Sequence, residues 1–143
     1  MTTKITLTDA PTPETWKAIV APLVQFNMAR TGRTEVYHPL VITLSDPADD
    51  IIGGLYGGTL WDYLRVDLLF VPEALRGCGI GRKLMTDAET EALRRGCHGA
   101  LLDTYSFQAR GFYERLGYSV FGAIEDCPPG HHRFYLSKRL AAA

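Results

Sequence analysis

The chain has 143 residues, of which 46% are hydrophobic, 22% charged and 10% aromatic. This length fits one ordinary domain, and the composition is that of a globular protein rather than an intrinsically disordered one. The 15 Lys and Arg residues balance 16 Asp and Glu residues, and the net charge of −1 provides no positive field for nucleic acid or an anionic membrane. We therefore expect a single domain over residues 1–143 that binds neither.

Cysteine usage and the chain start indicate a cellular compartment. Cys78, Cys97 and Cys127 are an odd number, lie far apart and show neither C-x-x-C nor zinc-ligand spacing, which favours a reducing compartment. The first residues lack the apolar core of a secretion signal, and no run approaches the ~18 apolar residues of a membrane span. We expect a cytoplasmic protein with no metal site.

Hydrophobic periodicity predicts an α/β protein of ten elements. In chain order they are a strand at 3–9, a helix from Pro13 to near Gly32, strands at 39–45, 51–60 and 63–71, a helix over 79–95, a strand at 99–104, a helix capped by Ser106 and ending at Leu116, and strands at 118–124 and 132–140. The order is β-α-β-β-β-α-β-α-β-β. A proline at position 22 predicts a kink or break in the first helix, because it lacks the backbone donor of that turn.

A glycine-rich turn joins the strand at 63–71 to the next helix, with the sequence LRGCGIGRK over 75–83. Three glycines in five positions let backbone N–H groups point at one spot, where they add to the unpaired donors that begin the helix. This geometry is typical of a phosphate cradle. Arg76, Arg82 and Lys83 bring more positive charge to the helix start, which a bound anion would offset. A glycine turn that only permits tight packing is the alternative.

Two nucleotide-binding motifs fit this turn poorly. A Walker loop requires Gly-Lys-Ser/Thr where this chain has Arg82, Lys83 and Leu84. A Rossmann fingerprint requires a third glycine where Arg82 stands. A nucleoside triphosphatase and a nicotinamide-dependent enzyme are therefore both disfavoured.

Two segments carry a resemblance to a known family. The sequence RGCGIG at 76–81 matches the pattern Arg/Gln-x-x-Gly-x-Gly/Ala, and ARGFYERLGY at 109–118 matches Ala-x-x-Phe-Tyr-Glu-x-Leu-Gly-Phe/Tyr. With these motifs the chain resembles the GNAT family of acetyl-CoA-dependent N-acyltransferases, and within it a bacterial subgroup of mostly unassigned substrate. The resemblance implies a mixed, mostly antiparallel sheet flanked by helices, acetyl-CoA as co-substrate without a metal, a small-molecule or peptide amine as acceptor, and a possible homodimer.

The resemblance also implies catalytic roles. Tyr113 would be the general acid that protonates the departing thiolate. Asp67, four residues before Val71, would be the general base, although it could instead pair with Arg65 while water relays the proton. A non-catalytic acyl-CoA-binding sensor or interaction module is the rival interpretation of the whole chain.

Cofactor contacts follow from the resemblance as well. The backbone of residues 69–71 would pair with the pantetheine arm where the strands at 63–71 and 99–104 splay apart, and Ser106 stands where many members have Asn. The implied cofactor-binding residues are Leu69, Phe70, Val71, Arg76, Gly77, Cys78, Gly79, Ile80, Gly81, Arg82 and Ser106. Tyr37, Trp61 and Tyr63 could line an acceptor pocket, although aromatic residues near a strand start often only pack.

Overall fold

A computed structural model describes residues 2–140 of the chain. The described residues form two compact units, which meet in sequence between Glu35 and Val36. The expectation of one domain over 1–143 stays a prediction. The elements are α1 (Pro13–Thr31), β1 (His38–Ser45), β2 (Ile51–Leu60), β3 (Tyr63–Phe70), α2 (Ile80–Arg94), β4 (Gly99–Tyr105), α3 (Arg110–Arg115), β5 (Ser119–Glu125) and β6 (His132–Arg139), with a single 3-10 turn at Glu73–Leu75 between β3 and α2.

Helix α1 begins and ends where the sequence predicts. The Thr12 hydroxyl accepts a hydrogen bond from the Thr15 backbone N–H, and the Thr15 hydroxyl accepts one from Thr12 N–H, which forms a capping box. At the other end Gly32 has φ 69° and its N–H bonds the Met28 carbonyl. The helix runs through Pro22 without interruption, so the chain does not break there.

The predicted strand at 3–9 is wrong, because these residues have no regular secondary structure. Alternating apolar and polar side chains suit a strand, but a strand also needs a neighbour to satisfy its backbone groups. Within residues 2–140 the sheet consists of the six strands β1 to β6 and includes no part of this segment.

The second unit is built on a six-stranded sheet of order β1-β2-β3-β4-β6-β5. Neighbouring strands are antiparallel except β3 and β4, which are parallel. The parallel pair requires a crossover, and the turn and helix α2 provide it. The mixed, mostly antiparallel sheet flanked by helices is therefore confirmed.

Helix α2 supplies the core of the second unit. Its buried residues, Leu84, Met85, Ala88 and Ala92, form one stripe that packs with Leu64 and Val66 of β3 in a single hydrophobic cluster. The end of the helix is tied to the sheet by Arg95, whose Nη1 donates to the carbonyls of His38 and Pro39 at 3.2 and 3.1 Å and to the Thr59 hydroxyl at 3.1 Å. These bonds fix α2 against β1 and β2.

Helix α3 is shorter than the sequence predicts, because its N-cap is Ala109 and not Ser106. Residues 105–108 instead form a turn closed by Gln108, whose side-chain oxygen accepts the Tyr105 N–H at 2.9 Å. The Ala109 N–H lies 3.4 Å from the Thr104 hydroxyl. Ser106 as the cap is therefore wrong, since local bonds of Gln108 and Thr104 delay the helix.

Candidate active site

A gap opens between β3 and β4 partway along both strands. Their parallel register runs from Tyr63 opposite Gly99 to Val66 opposite Leu102, and it ends there. Beyond this point β3 continues to Phe70 paired with β2, and β4 continues to Tyr105 paired with β6. The facing edges of the two strands are therefore free of each other, and the splay expected from the resemblance is confirmed.

The glycine loop after β3 ends in an open helix N-terminus. Gly77 and Gly79 have φ 79° and 86°, in the left-handed region that favours glycine, and Gly79 is the N-cap of α2. A Cβ at either position would meet nothing within 4 Å, so the space above the loop is open. Among residues 2–140 the N–H groups of Gly79 to Arg82 have no hydrogen-bond acceptor. Four donors of the helix start are thus available to an anion.

Gly81 has a different role from the two glycines before it. A Cβ at Gly81 would lie 3.2 Å from the ring of Phe112 and 3.9 Å from the Val71 side chain. At position 81, therefore, glycine is explained by tight packing, which the sequence offered as the alternative to a phosphate cradle. Through this contact the first turn of α2 rests on α3 and on the residue that follows β3.

Positive charge at the helix start is divided among three side chains. Arg76 donates from Nε to the Val71 carbonyl at 2.8 Å, and its guanidinium lies 5.7 Å from the centre of the Phe70 ring, which ties the loop to the end of β3. Lys83 pairs with Asp87 at 2.8 Å. Arg82 is exposed and has no ion-pair partner within the described part of the chain. It is the cation most available to a bound anion.

The other predicted cofactor contacts divide by burial. The side chains of Leu69, Val71 and Ile80 are partly buried and pack against the core. Phe70 is 56% exposed. Cys78 is exposed, and its thiol lies 2.9 Å from the Leu75 carbonyl.

Tyr113 is a largely buried phenol on α3. The residue is 7% exposed, and its hydroxyl has no hydrogen-bond partner within residues 2–140. No fully enclosed polar side-chain atom of the described residues lacks a partner, so this hydroxyl keeps contact with solvent. Burial raises the pKa of Tyr113 to about 12, and the negative charge of Asp103 contributes. Asp103 follows Leu102, the last β4 residue paired with β3.

Asp67 lies on the β3 side of the gap but is held in an ion pair. Its carboxylate accepts from Arg65 Nε at 2.8 Å, and the hydrogen bond to Asp67 is the main cause that raises the pKa of Arg65. The alternative that Asp67 simply pairs with Arg65 is therefore the arrangement in the structure. The ion pair occupies the Asp67 carboxylate, and this contact counts against its use as a base.

Ser106 lies where β4 ends and faces the start of β6. Its hydroxyl accepts from His132 N–H at 3.0 Å and lies 3.2 Å from His131 Nδ1. When His131 is the donor of the second bond, the Ser106 proton is free for another acceptor. The sequence predicted neither contact, because residues 25 and 26 positions apart are joined only by the β4–β6 pairing.

Asp103 is a site residue that the motifs do not single out. Its carboxylate pairs with Arg133 Nε at 2.8 Å, and its negative charge contributes to the raised pKa of Tyr113. Its signal in the sequence is only that of an acidic residue in a short apolar strand. Among the described residues no group of three or more His, Cys, Asp and Glu side chains is arranged to hold a metal ion.

Tyr37, Trp61 and Tyr63 meet in one cavity of about 220 Å³. We call it the aromatic cavity; its remaining lining residues are Gly58, Leu60, Arg65 and Leu101. It lies beside the paired part of β3 and β4, before the gap. The possibility that these aromatic residues share a pocket is confirmed, while its use for an acceptor stays a prediction.

Comparisons with known proteins agree with this geometry. The family model described as Acetyltransferase (GNAT) family matches residues 6–118. An acetyltransferase of Agrobacterium fabrum is 43% identical over 134 residues, covering 94% of this chain and 97% of that protein. A blasticidin-S acetyltransferase of Streptomyces morookaense is 44% identical over 92 residues, 64% of this chain and 68% of that protein. The crystal structure of an acetyltransferase from Bacillus cereus superposes with a TM-score of 0.79 at 31% identity, covering 94% of this chain and 98% of that one.

None of the helices in the described residues is long and apolar enough to cross a membrane. The match over 6–118 includes the glycine loop, the gap and Tyr113. The chain belongs to the GNAT family of acetyltransferases.

Proposed function

We propose that the protein transfers the acetyl group of acetyl-CoA to a primary amine of a small molecule or peptide, by direct attack in a ternary complex. The observation that carries this proposal is the gap beyond Val66 and Leu102, which is followed along the chain by a helix start whose N–H groups are free among the described residues. The Tyr113 hydroxyl, which has no hydrogen-bond partner in the same part of the chain, would act as the proton donor. Phe112 connects these parts, since it contacts Gly81 of the loop and precedes Tyr113.

The cofactor would bind from the loop into the gap. The free N–H groups of Gly79 to Arg82 and the Arg82 guanidinium suit a diphosphate. The backbone of residues 69–71 would then pair with the amides of the pantetheine arm along the free edge of the strand. In support, the solved aminoglycoside 6′-N-acetyltransferase, which shares this fold with a TM-score of 0.63 at 17% identity, is complexed with coenzyme A.

The reaction needs a neutral amine, a polarised carbonyl and a proton for the thiolate. The nitrogen lone pair attacks the thioester carbon, the C–N bond forms, and the carbonyl electrons move to oxygen. A backbone N–H on the free edge of β3 would stabilise that oxyanion. The intermediate collapses as the C–S bond breaks, and the Tyr113 hydroxyl gives its proton to the departing sulfur. The nitrogen loses its extra proton, and Tyr113 regains one from water.

The raised pKa of Tyr113 keeps the donor protonated, although it also makes the phenol a weaker acid. With a pKa of about 12, the phenol stays protonated across the physiological range and needs no prior charging step. The same buried setting also favours the neutral phenol over a phenolate, so the proton returns quickly after transfer. For the nitrogen proton, we favour water as the acceptor because Asp67 is paired with Arg65.

Of the two kinds of acceptor, we favour a small-molecule amine over a peptide amine. One relative is named for blasticidin S, and one structural neighbour acts on aminoglycosides. The cytoplasm would supply acetyl-CoA and is the compartment we propose. We place no metal in the reaction.

A screen of amines with acetyl-CoA tests the proposal. Polyamines, amino acids, aminoglycosides, nucleoside antibiotics and peptide N-termini are each incubated with acetyl-CoA and followed by thiol release and by the mass of the acceptor. Turnover on at least one amine is expected, with one thiol released per acetyl group transferred. Thermal stabilisation by coenzyme A without turnover on any amine would instead establish the acyl-CoA-binding module. Stabilisation by ATP but not by coenzyme A would contradict both.

A further inference from the structure

We infer that the aromatic cavity binds a neutral planar ring that carries a carbonyl group and is part of the amine substrate. This inference rests on the proposed function, since it names the class of acceptor for the same site. The cavity volume of about 220 Å³ is large enough for one such ring.

Two of the cavity walls are aromatic rings seated directly on glycine backbone. A Cβ at Gly58 would overlap the ring of Tyr37, and a Cβ at Gly99 would overlap the ring of Tyr63. Each ring therefore occupies space that only glycine leaves free on the neighbouring strand. Tyr37 and Tyr63 are 39% and 36% exposed. Each ring therefore packs on glycine on one side and is open on the other. Fixed, half-open aromatic faces are surfaces on which a flat ring stacks.

The third wall, Trp61, is held in an unfavourable backbone conformation. Trp61 and Asp62 form the two-residue loop between β2 and β3, with φ 49° and 66°. Such a hairpin turn favours Asn-Gly, and a bulky residue in the left-handed region is rare. The indole is nevertheless at the cavity and 42% exposed. Backbone strain that persists beside the aromatic cavity indicates a functional role for the Trp61 side chain.

Arg65 determines which polar group of a ligand the aromatic cavity prefers. Its guanidinium lies 5.5 Å from the centre of the Tyr37 ring, and Asp67 takes the Nε–H at 2.8 Å and approaches one Nη at 3.5 Å. A guanidinium has five N–H donors, so several remain. Since Asp67 already balances the charge, a neutral carbonyl oxygen is a better partner than a carboxylate, which would face Asp67.

The position of the cavity suits an acceptor rather than an unrelated ligand. Tyr63 precedes Val66, the last β3 residue paired with β4, by three positions, which is about 10 Å along a strand. A ring in the cavity thus lies within about 10 Å of the start of the gap. An extended chain of about four carbons places the nitrogen about 6 Å from the ring, which reaches the gap from a ring seated beside Arg65, one position before Val66.

Matched amines test the preference for ring and carbonyl. The probes are para-(aminobutyl)benzamide, para-(aminobutyl)benzoate and cyclohexylbutylamine, which share the amine and the linker. We expect kcat/KM for the benzamide to exceed that of the other two by about 10-fold. Tyr63→Leu and Trp61→Asn should bring the ratio close to one, and Asn accepts the positive φ of the turn. Phe121→Leu, an exposed aromatic residue on β5 outside the cavity, should leave it unchanged. Equal kcat/KM for the three amines would overturn the inference.

A binding measurement separates this inference from the proposed function. The chain has two tryptophans, so Trp16→Phe leaves Trp61 as the reporter. Titration of this variant with the benzamide, without acetyl-CoA, should give a saturable change in emission that cyclohexylbutylamine does not give. A saturable change without turnover on any amine supports the cavity and contradicts acetyl transfer. Turnover of amines without any change in emission overturns the cavity and leaves acetyl transfer intact.

Discussion

Gly79→Ala tests the anion cradle because the residue combines a left-handed φ of 86° with open space around its Cβ position. The substitution adds no clash within the described residues, so its effect is conformational. A left-handed backbone costs a residue other than glycine about 1–2 kcal/mol. The loop of the variant can leave the left-handed conformation in the free protein. Binding of coenzyme A then has to restore that conformation, at the same cost in free energy. The dissociation constant for coenzyme A then rises about 5- to 30-fold, because each 1.4 kcal/mol is about a factor of ten.

Gly96→Ala is the matched control. Gly96 follows the same helix at its other end, with φ 89° and nothing within 4 Å of a Cβ. The 15 residues of α2 separate the two ends by about 22 Å. This variant should lose about 1–2 kcal/mol in the free energy of unfolding and keep its affinity for coenzyme A.

Calorimetric titration with coenzyme A and urea unfolding measure the two quantities for each variant. A weaker complex for Gly79→Ala and an unchanged one for Gly96→Ala are expected. If Gly79→Ala binds coenzyme A as tightly as the unaltered chain, the diphosphate does not lie on this loop.

Four further outcomes follow from the site and the core. Tyr113→Phe should lower kcat about 10-fold or more and leave KM for acetyl-CoA nearly unchanged, as for a group acting in the transition state; an unchanged kcat would remove it from the mechanism. Because the pKa of Tyr113 is raised to about 12, the phenol keeps its proton as the pH rises, and kcat at saturating substrate should not fall up to about pH 10. A fall of kcat below that pH that is absent in Tyr113→Phe would contradict a protonated phenol. Asp67→Asn should change kcat less than about 3-fold if water accepts the amine proton, and a loss of 100-fold would restore Asp67 as the base. Arg95→Met should lower the free energy of unfolding in urea by about 2 kcal/mol through the loss of its bonds to β1 and β2, whereas Arg94→Met, whose side chain is 72% exposed and bonded to Glu91 alone, should lower it much less; equal losses would contradict the tether.

Local patterns predict most elements of the second unit because each carries its own signal. The hairpin has a polar turn between two apolar runs, and α2 has an apolar stripe that ends at glycine. The glycine loop is equally readable, since Gly77 and Gly79 stand where the backbone takes a positive φ. These features depend on neighbours close in sequence.

The parts that the sequence misses depend on distant partners. Residues 3–9 have the alternation of a strand, but alternation does not provide a pairing neighbour. Ser106 has the chemistry of a helix cap, yet its hydroxyl bonds the β6 start, 26 residues away, while Gln108 closes the turn. Asp67 has the position of a base, and only the fold shows Arg65 beside it.

The signature around Tyr113 joins binding and chemistry in adjacent residues. Phe112 contacts the first turn of α2 at Gly81, and the next residue, Tyr113, is the proposed proton donor. A side chain at Gly81 would push on Phe112, so it would move the helix that carries the phenol as well as the loop. Such a change alters kcat and cofactor affinity together and cannot separate them. Gly79 touches neither α3 nor the core, and for that reason it isolates the cradle from the proton donor.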